Sequence, residues 1–192
     1  FEALAIYEKL LPEVCQRLYP TRFYWPGSPY GGVNSFDPTI GDRHTWDIWH
    51  GVMARYQDYY KFEGRFVSEF GMQSYPSLQA IESITPEHER FAQSRTVVHH
   101  NKATTPDGKP DGHRRMAVYI ADNLRDPVTL SGYVYSTQFI QAEAMRYAYS
   151  SFRRRWGVSG KRAVSGALVW QLNDCWPVTS WAIIDSSGLP KP

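Results

Sequence analysis

The chain has 192 residues, 42% hydrophobic and 21% charged, enough apolar material for a core of ordinary domain size and too much for a disordered or collagen-like chain. A net charge of +2 leaves no electrostatic footprint for nucleic acid, and a mean hydropathy of −0.48 without a long apolar run leaves no membrane span. Cys15 and Cys175 fit neither a disulfide framework nor a CxxC metal site, so neither a metal nor a cofactor is expected. Glu2, Glu8, Lys9 and Glu13 interrupt the first apolar run, which therefore does not read as a signal peptide. The lack of an Asn-x-Ser/Thr site leans weakly towards an intracellular protein and otherwise leaves the compartment open.

In chain order, residues 1–18 carry Leu4, Tyr7, Leu11, Val14 and Leu18 at helical spacing. Residues 21–25 (TRFYW) read as a short strand broken at Pro26-Gly27, followed by a Gly/Pro-rich loop. An extended run near Thr45–Trp49 and a helix from Val52 to Lys61 are expected next, then a strand over Arg65–Phe70. Pro86 and Thr85 suggest a helix over 86–100, and the polar segment 101–113 is a loop. Helical spacing returns over 114–123 and runs longest over 130–156, with Gly157 as the stop and Arg153, Arg154 and Arg155 as a solvated end. Gly166–Leu172 is continuously apolar, as strands buried on both faces are. Short buried strands alternating with helices predict a parallel α/β fold, either doubly wound or a (β/α)8 barrel; no GxGxxG or Walker loop supports the former.

In such barrels functional side chains sit where strands end. Trp25, Glu69 and the stretch Trp170 to Asp174 fall at these ends. Six of the seven tryptophans lie in two groups, 25/46/49 and 170/176/181, which suggests a platform for stacking on a sugar ring. Glu69 is the one glutamate embedded in an apolar strand, so it needs either a functional role or a salt bridge, Arg43 and Arg65 being the available partners. Asp42, His44, Asp47 and His50 cluster in residues 41–51; their spacing is not that of a metal site, and ligand hydrogen bonding or loop bracing is the preferred reading. His99, His100 and His113 are expected to be solvated. Without a GxSxG segment, carboxylate chemistry leads, and two carboxylates about 5 Å apart would mean retaining glycoside hydrolysis. Asp174 is the available second carboxylate and could equally be structural.

Four segments in order, RFYWPGSPYGG (22–32), GDRHTWDIWHG (41–51), GRFVSEFGMQSYPS (64–77) and GALVWQLNDCWPVTSWAIID (166–185), closely resemble the β-mannosidases of glycoside hydrolase family two, fungal-type members especially. The resemblance covers nearly the whole chain. It implies a retaining (β/α)8-barrel enzyme that removes terminal non-reducing β-mannose from oligosaccharides. It places the nucleophile on Glu69 of the SEFG strand and the sugar subsite on Trp170 and Trp25, with Tyr24 as the alternative to Trp25. His44, Trp46 and Trp49 belong to a typical motif and any of them could touch sugar; Asn173 and Asp174 follow Trp170 as further substrate-binding candidates.

The resemblance also defines what is missing. The family's acid/base glutamate lies in an Asn-Glu dipeptide, and this sequence has none. Residues 1–192 thus read as one partial catalytic domain, strands five to eight of the barrel with their helices. The remaining half and flanking β-domains are expected partners, and the chain by itself is expected to be inactive. The alternatives are a related exo-glycosidase, such as a β-galactosidase or exo-glucosaminidase, and a noncatalytic sugar-binding module.

Overall fold

The computed structural model describes residues 2–31, 33–105, 107–157 and 163–192. The N-terminal amphipathic stretch is helical: α1 (Glu2–Ala5) continues through a π-helical turn, Ile6–Leu10, into α2 (Leu11–Leu18). No strand forms at 21–25. Phe23 points into solvent, and Tyr24 donates its hydroxyl back to the Tyr7 carbonyl at 2.9 Å.

Two short strands pair in parallel, β1 (Arg43–His44) and β2 (Val67–Glu69). Their register slips by one residue: Arg43 lies opposite Val67, but His44 lies opposite Glu69. The slip is visible in the backbone, where the Arg43 N–H meets the Phe66 carbonyl and the Thr45 N–H meets that of Glu69, each at 2.8 Å. Ser68 is the extra residue. A bulge of this kind re-aims side chains at a sheet edge, and here it brings His44 level with Glu69. On the other side of β2, Val67 bridges Ala167 in parallel, and the Leu168 and Trp170 N–H groups bond to Val67 and Phe70. The segment 43–44, β2 and the stretch around Ala167 are therefore parallel neighbours separated in sequence by helices. The expected strand 166–172 is reduced to this irregular ladder, because its later residues bond alternately to β2 and to 181–184.

Helical expectations fared unevenly. In place of the helix at 52–61 there is a 3-10 turn, Tyr56–Lys61. Residues 86–100 break into a 3-10 turn at Glu87–Glu89 and α4 (Arg95–His99), whose N-cap is Ser94; Gln93 sits at φ 64°, a left-handed conformation that ends any continuous helix. A helix that the pattern did not reveal, α3 (Leu78–Ile84), starts at the Ser77 cap. α5 (Gly112–Asn123) and α6 (Leu130–Arg154) match expectation to within two residues, α6 capped by the Thr129 hydroxyl on Gly132 N–H at 3.1 Å.

The core forms where α6 lies against β2 and the Tyr56–Lys61 turn. Phe70 packs edge-on to Phe152 and Tyr149, and Tyr59 to both Phe70 and Phe152, at 5.2–6.0 Å between ring centroids. Gln141 is the polar exception on the buried face of α6. Its amide nitrogen donates to the carbonyls of Met72, Trp181 and Ala182 at 2.8, 3.1 and 3.3 Å, and its oxygen accepts from Ser74 at 2.7 Å. His113, expected in solvent, is buried: its Nδ1 lies 3.0 Å from the Tyr75 hydroxyl, and burial pushes its pKa down to about 4.

Candidate active site around Glu69

Glu69 ends β2 with its side chain about a quarter exposed. Its Oε2 accepts from the Trp46 indole N–H at 3.0 Å and faces His44 Nδ1 at 3.3 Å; Oε1 has no partner among the described residues. Neither arginine considered from sequence reaches it: Arg43 pairs instead with Asp47 at 2.8 Å and with the Glu63 carbonyl. One carboxylate oxygen is clamped and the other is open.

Behind His44 a polar chain leads through the exposed Ser28 to the buried Asp42. His44 Nε2 is 3.0 Å from Ser28 Oγ, which donates to Asp42 Oδ2 at 2.6 Å; the Ser68 hydroxyl, displaced by the bulge, bonds to the same oxygen. Asp42 Oδ1 accepts from the Trp25 indole at 3.0 Å and from the Tyr30 N–H at 2.9 Å. Burial alone would raise the Asp42 pKa, but these donors together outweigh it and hold the carboxyl below its ordinary range. Trp25 is thus fixed at its indole nitrogen while 42% exposed, beside an open recess lined by Ser28, Asp42, Phe66 and Ser68.

The second wall is aromatic. Trp46 meets His50 at 5.0 Å and Trp181 at 6.0 Å, both edge-on. α5 holds this loop in place: Arg115 donates to the Trp49 and His50 carbonyls, and the Tyr119 hydroxyl donates to the Ala54 carbonyl and accepts from the Trp49 N–H. These anchors support Trp49 at φ 80°, a conformation that bulky residues rarely adopt. Desolvation, followed by the Arg115 charge, pushes the pKa of His50 down to about 4, so its ring is neutral at pH 7.

Trp170 is 38% exposed and joined to β2 through its N–H on Phe70 O at 2.9 Å. The contact is close: a Cβ on Gly71 would stand 2.2 Å from the Trp170 carbonyl oxygen and 3.3 Å from the Trp181 ring.

The expected site residues divide on this geometry. Glu69, His44 and Trp46 come together, and Trp25 is tied to them through Asp42 and Ser28. Trp49 is fully buried, stacked on Tyr119 at 6.2 Å, and is a core residue out of reach of a ligand. Tyr24 is committed to the helix side by its bond to Tyr7. Asp174 is a structural brace: buried, it pairs with Lys102 at 2.6 Å and accepts from Ser180 at 2.5 Å. Asn173 is exposed and bonds only to the neighbouring Asp174 carbonyl among the described residues. Ser28 and Ser68 escaped a sequence reading of the site, since their roles arise from contacts across 14 and 26 positions. Among the described residues no cluster of three or more His, Cys, Asp or Glu could hold a metal ion, and no helix is long and apolar enough to cross a membrane.

No protein-family model matches the chain. Among curated proteins, a beta-mannosidase B of Aspergillus terreus is 49% identical over all of this chain, and that of Emericella nidulans 47%. A crystal structure of a beta-D-mannosidase from Dictyoglomus thermophilum superposes on 98% of the chain with a TM-score of 0.87 and 43% identity. The chain spans 22% of the length of each of these relatives. By sequence and by fold it matches a segment of a glycosidase. More narrowly, it is similar to a segment of fungal beta-mannosidases, in line with the four motifs.

Proposed function

We propose that this chain contributes the nucleophile side of the active site of a retaining β-mannoside hydrolase, with β1, β2 and the Ala167 segment as adjacent strands of a (β/α)8 barrel. The observation that carries this reading is the asymmetry of Glu69: Oε2 accepts from Trp46 and faces His44, while Oε1 has no partner among the described residues. A carboxylate so held is pre-aligned for in-line attack, since its rotation is suppressed and one lone pair is free. Oε1 attacks the anomeric carbon, the glycosidic C–O bond breaks, and the leaving oxygen takes a proton from a general acid. Water then reverses the ester with the same group acting as base. That group comes from outside this chain. Asp42 already carries four donors and Asp174 is locked into its ion pair, so neither is free to shuttle a proton. The exposed faces of Trp25 and Trp170 supply apolar surface for the C–H face of the sugar.

The test is a 2-deoxy-2-fluoro-mannosyl fluoride, applied to the full-length protein that contains this chain and followed by peptide mapping. The label is expected on Glu69, and Glu69→Gln is expected to remain folded with activity lost. A label on any other carboxylate overturns the assignment.

A further inference from the structure

Protons in the chain Glu69–His44–Ser28–Asp42 can be counted from its distances. Asp42 is ionised and can only accept. Ser28 Oγ stands 2.6 Å from Asp42 Oδ2, a separation that two bare oxygens do not tolerate, and Ser28 has one proton to place there. Ser28 Oγ therefore offers a lone pair to His44 at 3.0 Å, and Nε2 must carry a hydrogen. Nδ1 in turn lies 3.3 Å from Glu69 Oε2. The two atoms lie at ion-pair distance, and a proton on Nδ1 makes the contact attractive where a bare nitrogen would repel the carboxylate oxygen. Among the described residues no other charged side chain competes for the ring: Arg43, next in sequence, is turned to Asp47 and Glu63, and Asp42 acts only through Ser28.

We infer that His44 is a positioning residue that keeps a proton on Nδ1, beside Oε2, so that Glu69 attacks through Oε1 and leaves, when the glycosyl-enzyme hydrolyses, as a carboxylate paired with an imidazolium. The inference rests on the reading of Glu69 as nucleophile and assigns the second half-reaction its electrostatic support. In the first half-reaction the C–O ester bond forms at Oε1 and the carboxylate charge leaves the pair with the aglycone. In the second, water attacks the anomeric carbon, the Oε1–C bond breaks with its electrons returning to the carboxylate, and the cation of His44 meets the restored charge. A donor aimed at charge that develops in the transition state accelerates the step in which it develops. His44 should therefore matter more to deglycosylation than to glycosylation.

The experiment uses two variants of the full-length protein and a 2,4-dinitrophenyl β-mannoside, whose good leaving group makes deglycosylation limiting. The amide nitrogen of Asn falls near the Nδ1 position of His and that of Gln near Nε2. His44→Gln keeps the partner of Ser28 but removes the donor to Glu69; His44→Asn keeps a neutral donor to Glu69. Rates are normalised to sites that take up the fluoro-sugar label. His44→Gln is expected to lower kcat about tenfold, the worth of a favourable contact with a charged carboxylate, while KM falls with it and a burst of dinitrophenol appears. His44→Asn is expected to recover part of the kcat. Wild-type kcat in His44→Gln, or an equal fall in kcat and kcat/KM without a burst, overturns the inference. So does failure of both variants to take the label, which would make His44 structural. A label that misses Glu69 in the wild type instead overturns the nucleophile assignment, and the two failures are thereby told apart.

Discussion

Gly71→Ala is the sharpest test of how tightly β2 and the Trp170 segment are joined. The added methyl would lie 2.2 Å from the Trp170 carbonyl oxygen, where Cβ contacts under 3.0 Å essentially never occur, so the two backbones must part by at least 0.8 Å. The obstructing atom is main chain and cannot swing aside as a side chain would. Relief must come either from the chain just after β2, two residues beyond Glu69, or from Trp170 itself. Catalytic constellations tolerate about 0.5 Å, and a misplacement near 1 Å can cost on the order of 100-fold. Overpacking of this size typically costs a further 1–3 kcal/mol of stability. We therefore expect kcat/KM on an aryl β-mannoside to fall roughly a hundredfold in the full-length protein, with a modest fall in thermal midpoint and an unchanged far-UV spectrum. A folded Gly71→Ala enzyme with wild-type kcat/KM would refute the reasoning, because it would show that Glu69 and Trp170 do not depend on this contact.

Trp170→Ala removes a part-exposed indole from the segment joined to Phe70, next to Glu69; a loss of about tenfold or more in kcat/KM is expected, at roughly 1.4 kcal/mol per decade, and unchanged kinetics would remove Trp170 from the sugar site. Asp174→Ala strands Lys102 and Ser180 and should cost on the order of 3 kcal/mol in urea denaturation while leaving kcat/KM per labelled site intact. Collapse of activity in a stable Asp174→Ala protein would restore Asp174 as a catalytic acid. His113 titrates near 4 in the folded chain and near 6.5 unfolded, so below pH 6.5 the unfolded state binds the extra proton. Stability should fall as pH drops from about 6.5 to about 4, by roughly 3 kcal/mol from His113 alone, with no further loss from this group at lower pH. His50 shifts in the same direction and adds less, being partly exposed. A flat denaturation midpoint between pH 7 and 4.5 would contradict the buried neutral state of His113.

What the sequence disclosed followed the range of the interactions involved. α5 and α6 were legible because their apolar faces repeat at 3.6 residues and need no distant partner to be recognised. α3 escaped notice because LQAIESI is barely two turns long and depends on one Ser77 cap. The strands were harder still. The residues of TRFYW have strand propensity but find no neighbouring strand among the described residues, whereas the less conspicuous Arg43–His44 does. In the site, Glu69 stood out by chemistry, a carboxylate between Val67 and Phe70. His44 was legible as one of a polar cluster and Trp46 as one of a tryptophan group, and Trp49, in the same group, proved to be core. Nothing local distinguishes these tryptophans, because the difference is made by α5, through Tyr119 and Arg115, some 65 positions downstream. The Ser28–Asp42–Ser68 cluster depends on a one-residue slip between two strands, a feature that no side-chain pattern encodes.

The amide of Gln141 turns α6 into a keyed part. A helix presenting only Ile140, Ala144, Ala148 and Phe152 to the core could slide by a turn, about 5.4 Å, and still bury apolar surface. With one amide answering Ser74, Met72, Trp181 and Ala182 together, any other setting leaves buried donors and acceptors unpaired. Two of those four partners belong to the stretch immediately after β2 and two to the stretch whose Trp181 faces Trp46. A substitution such as Gln141→Leu could thus leave a stable helix that no longer fixes its own setting, and the loss would surface as heterogeneity in the site rather than as unfolding. For anyone grafting or recombining segments of these enzymes, position 141 is where the graft has to fit the lock.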